Sequence, residues 1–294
     1  MTGCSLSLIL VLAGRGVSAQ PLTAAQIMAR VAKLQDQAQA EPTHYIYSQN
    51  VKVITRRGQR IRCEEIADYR VIPSARGSQR QLRRLQGRYL SHHDYVDYSA
   101  HPPTPGKVEG EPDAAAVPIT GDETDVDMVE EMRSDLLGSK SKDGIEADLF
   151  PLTSKEQADY RFRLAGREQL NGRRGFHIEF RPGDSREFRW KGDVWIDTAT
   201  FEPVVVSSQL SRRIPLAIRT LPGTNRPGFG FTVVYAPQPG GIWFPVSFST
   251  EFGIHVLFFF RRTIIIEAQN CDFERTHVSS QIVGSVTPVS QMRF

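Results

Sequence analysis

Between residues 159 and 211, apolar and polar side chains alternate in short runs. Tyr160, Phe162 and Leu164 are interleaved with Arg161, Arg163 and Ala165, and Phe176, Ile178 and Phe180 with His177, Glu179 and Arg181. A period of two is that of half-buried antiparallel strands, each with one oily face. Asn171-Gly172 separates the two runs, and its tolerance of positive φ suits a tight hairpin turn. Residues 192–197 make a third strand, 198–203 turn the chain, and 204–211 return as a fourth. The pattern predicts a meander.

The flanks extend it. Ile27, Val31, Leu34 and Ala38 recur at spacings of three and four behind Thr23, a good N-cap, and predict a one-sided helix over 24–40. Residues 45–55 and 60–72 read as a hairpin around Arg57-Gly58-Gln59, rich in β-formers such as Tyr45, Tyr47, Val51, Val53, Tyr69 and Val71. Val126, Val129, Met132 and Leu136 fall at helical spacing in the acidic stretch 122–148, and Asp122, Asp125 and Asp127 sit where a helix dipole favours carboxylates. Residues 229–236 and 242–250 form another hairpin, and 256–268 read as one strand apolar on both faces. The connection 214–222 is apolar where hairpin loops are normally short and polar. About nine or ten strands in hairpin order with two helices, and no βαβ alternation, argue α+β. The expected architecture is a strongly curved antiparallel sheet, an incomplete β-barrel, with helices covering its concave face.

The 294 residues, 40% of them hydrophobic, allow a sizeable core. Residues 6–13 are apolar and 17–19 small, so 1–19 reads as an export signal that lacks the usual positive start, and 20–294 as a single domain. The apolar run is too short to span a bilayer. Residues 101–121 turn to Pro, Gly, Ala and acid, the composition of a flexible loop. Arginines crowd 56–88, but a net charge of +3 and the lack of a base-stacking module make the solvated face of a hairpin and its loop the better reading than a nucleic-acid surface. In an oxidising compartment Cys63 and Cys271 are free either to pair or to stay apart as small buried residues, and the sequence leaves both open.

Chemistry is sparse. No GxSxG, HExxH, P-loop or dinucleotide fingerprint occurs. His92, His93 and Asp94, with His101 nearby, suggest a metal or acid/base site, yet neighbours on a strand point to opposite faces. Asp193 and Asp197 flank Trp195 and make a formal acid/base pair, with cross-strand ion pairing as the plainer role.

The hairpin Leu164, Gly166, Arg167, Glu168, Leu170, Gly172 and Arg173, followed by the Gly192 to Asp197 strand, resembles the bacterial periplasmic proteins with the fold of the outer-membrane lipoprotein carrier and its receptor. The similarity is strongest over 160–275. It implies a non-enzymatic protein of the Gram-negative periplasm, without cofactor, transmembrane span or nucleic-acid partner, that binds lipoprotein acyl chains or lipids in a cavity. The ligand-lining residues so implied are Phe162, Phe176, Ile178, Val194, Ile196, Phe231, Tyr235, Phe244 and Phe248, with Ile214, Leu216 and Ile218 from the oily loop. The rival is a protein-binding envelope module of the same fold with a filled core, as in envelope-stress regulators. An open apolar interior favours the carrier, a filled one the rival.

Overall fold

Two meanders make the sheet. The first comprises β1 (Tyr45–Arg57), β2 (Arg60–Ser74), β3 (Gly77–Ser91) and β4 (Asp94–Ala100). The second comprises β5 (Tyr160–Leu170), β6 (Arg173–Pro182), β7 (Trp190–Asp197), β8 (Pro203–Leu210), β9 (Gly230–Pro237), β10 (Trp243–Val256) and β11 (Phe260–Arg275). Helices α1 (Ala24–Ala40) and α2 (Thr124–Leu137) and the single turn α3 (Ser154–Gln157) complete the chain. The computed structural model describes residues 21–40, 45–74, 77–100, 124–137, 150–170, 172–184, 189–210, 230–256 and 260–275. The export-like 1–19, the loop 101–121 and the oily connection 214–222 lie outside them.

Local chemistry sets the turns. Gly58 and Gly172 take φ of 63° and 77°, and the registers Arg57↔Arg60 and Leu170↔Arg173 close two-residue loops around them. One long-range pairing then unites the meanders: β1 runs antiparallel to β11, from Tyr45↔Arg275 to Arg56↔Thr263. The resulting order is β4-β3-β2-β1-β11-β10-β9-β8-β7-β6-β5, an open antiparallel sheet of 11 strands with β4 and β5 as its ends. An open sheet of this order is consistent with the expected incomplete barrel. At Gly192 and Gly230 the backbones of β7, β8 and β9 approach so closely that an added Cβ would run into the Ser207 or Ser208 carbonyl. Such glycines mark places where another backbone approaches closely.

One face of the sheet is apolar along its length. On β1 every second residue from Tyr45 to Thr55 is buried, and the same face carries Ile178, Val194, Val206, Val233 and Ile264 on later strands. Both longer helices pack there. α1 lies against β5 and α3 and contributes Ile27, Met28 and Val31, while α2 lies on β1, β2 and β3 and contributes Val126 and Val129. Tyr45, Phe244 and Phe273 interlock edge to face with centroids 5.2 to 6.2 Å apart, a geometry that adds to the burial of their surface. A capping box between Thr153 and Glu156 starts α3. Gln157 Nε2 then donates to the carbonyls of Met28 and Leu152, tying α3 to α1.

Two expectations need correction. The apolar stretch 256–268 is not one strand: β10 ends at Val256 and β11 begins at Phe260, so a hairpin falls within the oily run. No Gly, Pro or Asn in 257–259 marks that turn. In addition, 77–100 forms a hairpin of two strands in place of a solvated loop. Seven of the 15 residues of β3 are Arg or Gln, so it shows little hydrophobic alternation. Pairing with β2, from Cys63↔Tyr89 to Ser74↔Gly77, makes it a strand.

Candidate functional site

The residues implied as ligand-lining converge on the apolar face, as their alternation requires. Phe176, Ile178, Val194, Ile196, Phe244 and Phe248 keep only 0 to 5% of their surface and belong to one core cluster that also includes the helix residues Ile27, Met28 and Val31. A side chain bordering a void large enough for an acyl chain would keep more exposed surface than that. Phe162, Phe231 and Tyr235 are half-buried at the margin of the cluster, and Trp190 stacks edge-on against Phe231 at 4.9 Å. Ile214, Leu216 and Ile218 lie outside the described residues.

Under α2 the apolar face turns ionic. Arg262 of β11 donates from Nε and Nη2 to the two oxygens of Asp125, at 2.6 and 2.9 Å, and Thr55 Oγ1 donates to Oδ1 at 3.1 Å. Asp125 and Arg262 are 6% and 8% exposed. Burial alone would raise the Asp125 carboxyl, but the bonds and charge of Arg262, with help from Thr55 and Arg62, hold it below the usual carboxylate range. About two turns further along α2, Arg133 donates to the fully buried Glu65 and to Tyr69 Oη, and Tyr98 Oη donates to Glu65 Oε2 at 3.0 Å. Burial pushes the Glu65 carboxyl upward against the pull of Arg133. Both clusters are internally satisfied, and their contacts are those that seat a helix.

On the opposite face, His177 of β6 stacks on Trp195 of β7 with centroids 4.6 Å apart. Its Nδ1 lies 2.8 Å from Glu168 Oε1 and its Nε2 lies 2.8 Å from Asp193 Oδ1, while Trp195 Nε1 donates to Glu168 Oε2 at 2.9 Å. Burial would lower the His177 pKa, but the two carboxylates outweigh it and raise it. With both ring nitrogens engaged, His177 has none free to take a proton from a substrate. Asp197 is occupied differently: Oδ1 accepts the Ala199 and Thr200 amides at 2.8 and 3.0 Å and closes the β7–β8 turn. The formal pair Asp193 and Asp197 is thereby split into two local structural duties.

Beside Asp193 a depression of about 530 Å³ crosses the polar face. Strand register aligns Asp193, Ser207, Thr232, Ser249 and Glu267 in one row over five strands. The small side chains of that row leave the depression. Among the described residues no group of three or more His, Cys, Asp or Glu is placed to hold a metal ion, and no helix is long and apolar enough to cross a membrane.

Comparison with known proteins adds the following. No family model matches the chain, and no curated protein matches it. Solved structures of the lipoprotein-sorting fold are similar to it. An outer-membrane lipoprotein-sorting protein domain from Vibrio parahaemolyticus aligns with 12% identity over 86% of this chain and 95% of its own, at a TM-score of 0.35. A LolA-superfamily protein from Nitrosomonas europaea aligns with 12% identity over 88% and 96%, at 0.33. The MucA/MucB complex of Pseudomonas aeruginosa aligns with 11% identity over 87% and 99%, at 0.24.

Other residues singled out in the sequence take plain places. His92 and His93 form the two-residue turn between β3 and β4, with His92 at φ 55°, and His101 lies outside the described residues. Cys63 and Cys271 are both free, the first buried and the second exposed. They face Thr55 and Ser48 of β1 from its two neighbouring strands, roughly 23 Å apart along the sheet at about 3.3 Å per residue. The pairing left open by the sequence is therefore not made. The buried Arg262 and Glu65 and the half-buried Arg133 went unnoticed in the sequence, and the buried Asp125 was read there only as a helix-start carboxylate. Each reads as a surface charge until the long-range pairing of β1 with β11 and the docking of α2 are known.

Proposed function

We propose that this chain is a non-enzymatic, exported protein-binding module of the bacterial envelope, of the sensor or regulatory kind, with its helices on the concave face of a curved sheet. The observation that carries the reading is the packed interior. Six side chains that a carrier would offer to an acyl chain keep at most 5% of their surface and touch one another and the helices instead. Such a core leaves the rims and the polar face of the sheet as surfaces for recognition. Export is supported by the apolar run and small-residue triplet in 1–19. The absence of a catalytic motif and the full engagement of His177 and Asp197 support a binding role over catalysis.

A second reading, carriage of a lipoprotein acyl chain or lipid, rests on Phe162, Trp190, Phe231 and Tyr235, which stay half-buried at the core margin. In that case Ile214, Leu216 and Ile218 would complete the site. Titration of delipidated protein with a fluorescent fatty acyl probe separates the two. The protein-binding reading expects no saturable signal at micromolar protein. Saturable binding, weakened by Phe231→Ser, would establish the carrier instead.

A further inference from the structure

The sheet has two ends, and they differ. β5 has α1 and α3 packed against it and carries Arg161, Arg163 and Arg167. β4 pairs with β3 alone, and no other described strand pairs with its outer edge. Every second residue of such an edge turns its N–H and C=O outward, and proteins usually blunt the hazard with Lys, Pro or a bulge. β4 reads DYVDYSA and has no Lys, Pro or bulge, its only charges being the carboxylates of Asp94 and Asp97. Tyr95 and Val96 are instead among the most exposed large apolar residues, at 45% and 41%.

Its charge is equally one-sided. Asp94 and Asp97 are exposed, and neither makes an ion pair among the described residues. The cation directly across from Asp97 is Arg88. Its guanidinium is spent elsewhere: Nε and Nη2 donate to Glu64 at 3.0 and 2.7 Å, and its carbon lies 5.1 Å over the Tyr95 ring. A backbone edge ready to pair, an apolar side chain on one face and a free carboxylate on the other together form a template for an added strand.

We propose that the open edge of β4 accepts an extended, basic segment of a partner protein as a further antiparallel strand. An apolar residue of that segment lies opposite Val96, and a Lys or Arg lies opposite Asp97. Val96 faces the apolar side, being across from Tyr89, and Asp97 faces the polar side, so the recognised pattern is alternation of apolar and basic residues. This rests on the protein-binding reading above and names the surface and the chemistry of the partner.

The test uses the full chain and a short fluorescein-labelled peptide of alternating lysine and valine, with glutamate-valine and lysine-proline peptides as controls. Saturable binding of the lysine-valine peptide alone is expected. Asp97→Lys should weaken it by about tenfold or more and allow the glutamate-valine peptide to bind. Asp94→Lys repeats the measurement should Asp97→Lys fail to fold. No lysine-valine binding, equal binding by the proline peptide, or affinity unchanged by charge reversal would each overturn the proposal. So would sedimentation showing that the edge is filled by a second copy of the chain, released by Asp97→Lys. A silent acyl probe with a negative peptide result sinks the edge but not the module, whereas a positive acyl titration sinks the module.

Discussion

Arg262 of β11 grips both carboxylate oxygens of Asp125 of α2 through the Nε–Nη2 edge of its guanidinium, at 2.6 and 2.9 Å, where neither residue exceeds 8% exposure. The pair joins the last strand of the sheet to a helix 137 positions earlier in the chain. Leaving one partner buried without the other is the costly case. Asp125→Ala should therefore lower unfolding stability by roughly 3–5 kcal/mol, and Asp125→Ala combined with Arg262→Met should regain much of the loss. Urea denaturation followed by circular dichroism measures both. The sign of the pH dependence follows from the lowered Asp125 carboxyl: its contribution is present above the ordinary Asp range and is lost as pH falls through the depressed value.

His177 titrates the other way. Burial opposes its protonation, but Asp193 and Glu168 favour the charged ring and raise its pKa above the ordinary histidine value. A raised value means that its stabilising contribution is complete below about pH 6.5 and is lost as pH rises through the folded pKa. Proton NMR of the imidazole should place that titration above a free histidine. In His177→Gln the fall of stability over this window should flatten. An unshifted titration would contradict the paired geometry.

How much of this was legible in the chain depends on what each element is stabilised by. The hairpin from Tyr160 to Pro182, the Trp190–Asp197 strand and α1 were readable because each buries one face and announces it by period, with Gly172 marking a turn. β3 and β4 were not, because a strand made of Arg, Gln and two Asp owes its form to pairing with a neighbour already in place. The same limit applied to the ion clusters under α2. Thr55, Asp125 and Arg262 meet only through register and helix docking, and neither leaves a periodic trace. The candidate ligand residues that are described lie in or against the apolar core cluster. Packing density, which decides between a guest and a filled core, is not a property of any pattern along the chain.

The close approach of β7 to β8 depends on Gly192. A Cβ at that position meets the Ser207 carbonyl and the Ser208 Cα, both of them backbone with no rotamer to yield. Gly192→Ala should therefore destabilise the fold by roughly 1–3 kcal/mol or more, whereas Gly166→Ala, which meets nothing, should stay close to wild type. Thermal melting of the two variants side by side checks the contrast.

The thiols should react unequally. Burial pushes Cys63 up to about 12, partly relieved by its contact with Tyr98, and the residue is fully covered, whereas Cys271 is exposed. In a Cys4→Ser background, a thiol reagent at neutral pH should label Cys271 alone in native protein and both residues after denaturation. Mass analysis without reductant that found neither thiol free would contradict the register separating them.

The filled interior is tested most directly by native mass spectrometry of the chain, exported by a bacterial host and purified without delipidation. The mass of the processed polypeptide alone is predicted, with no adduct of lipid or acyl size. A stoichiometric lipid-mass adduct that survives gentle activation and disappears in Phe231→Ser would contradict the account.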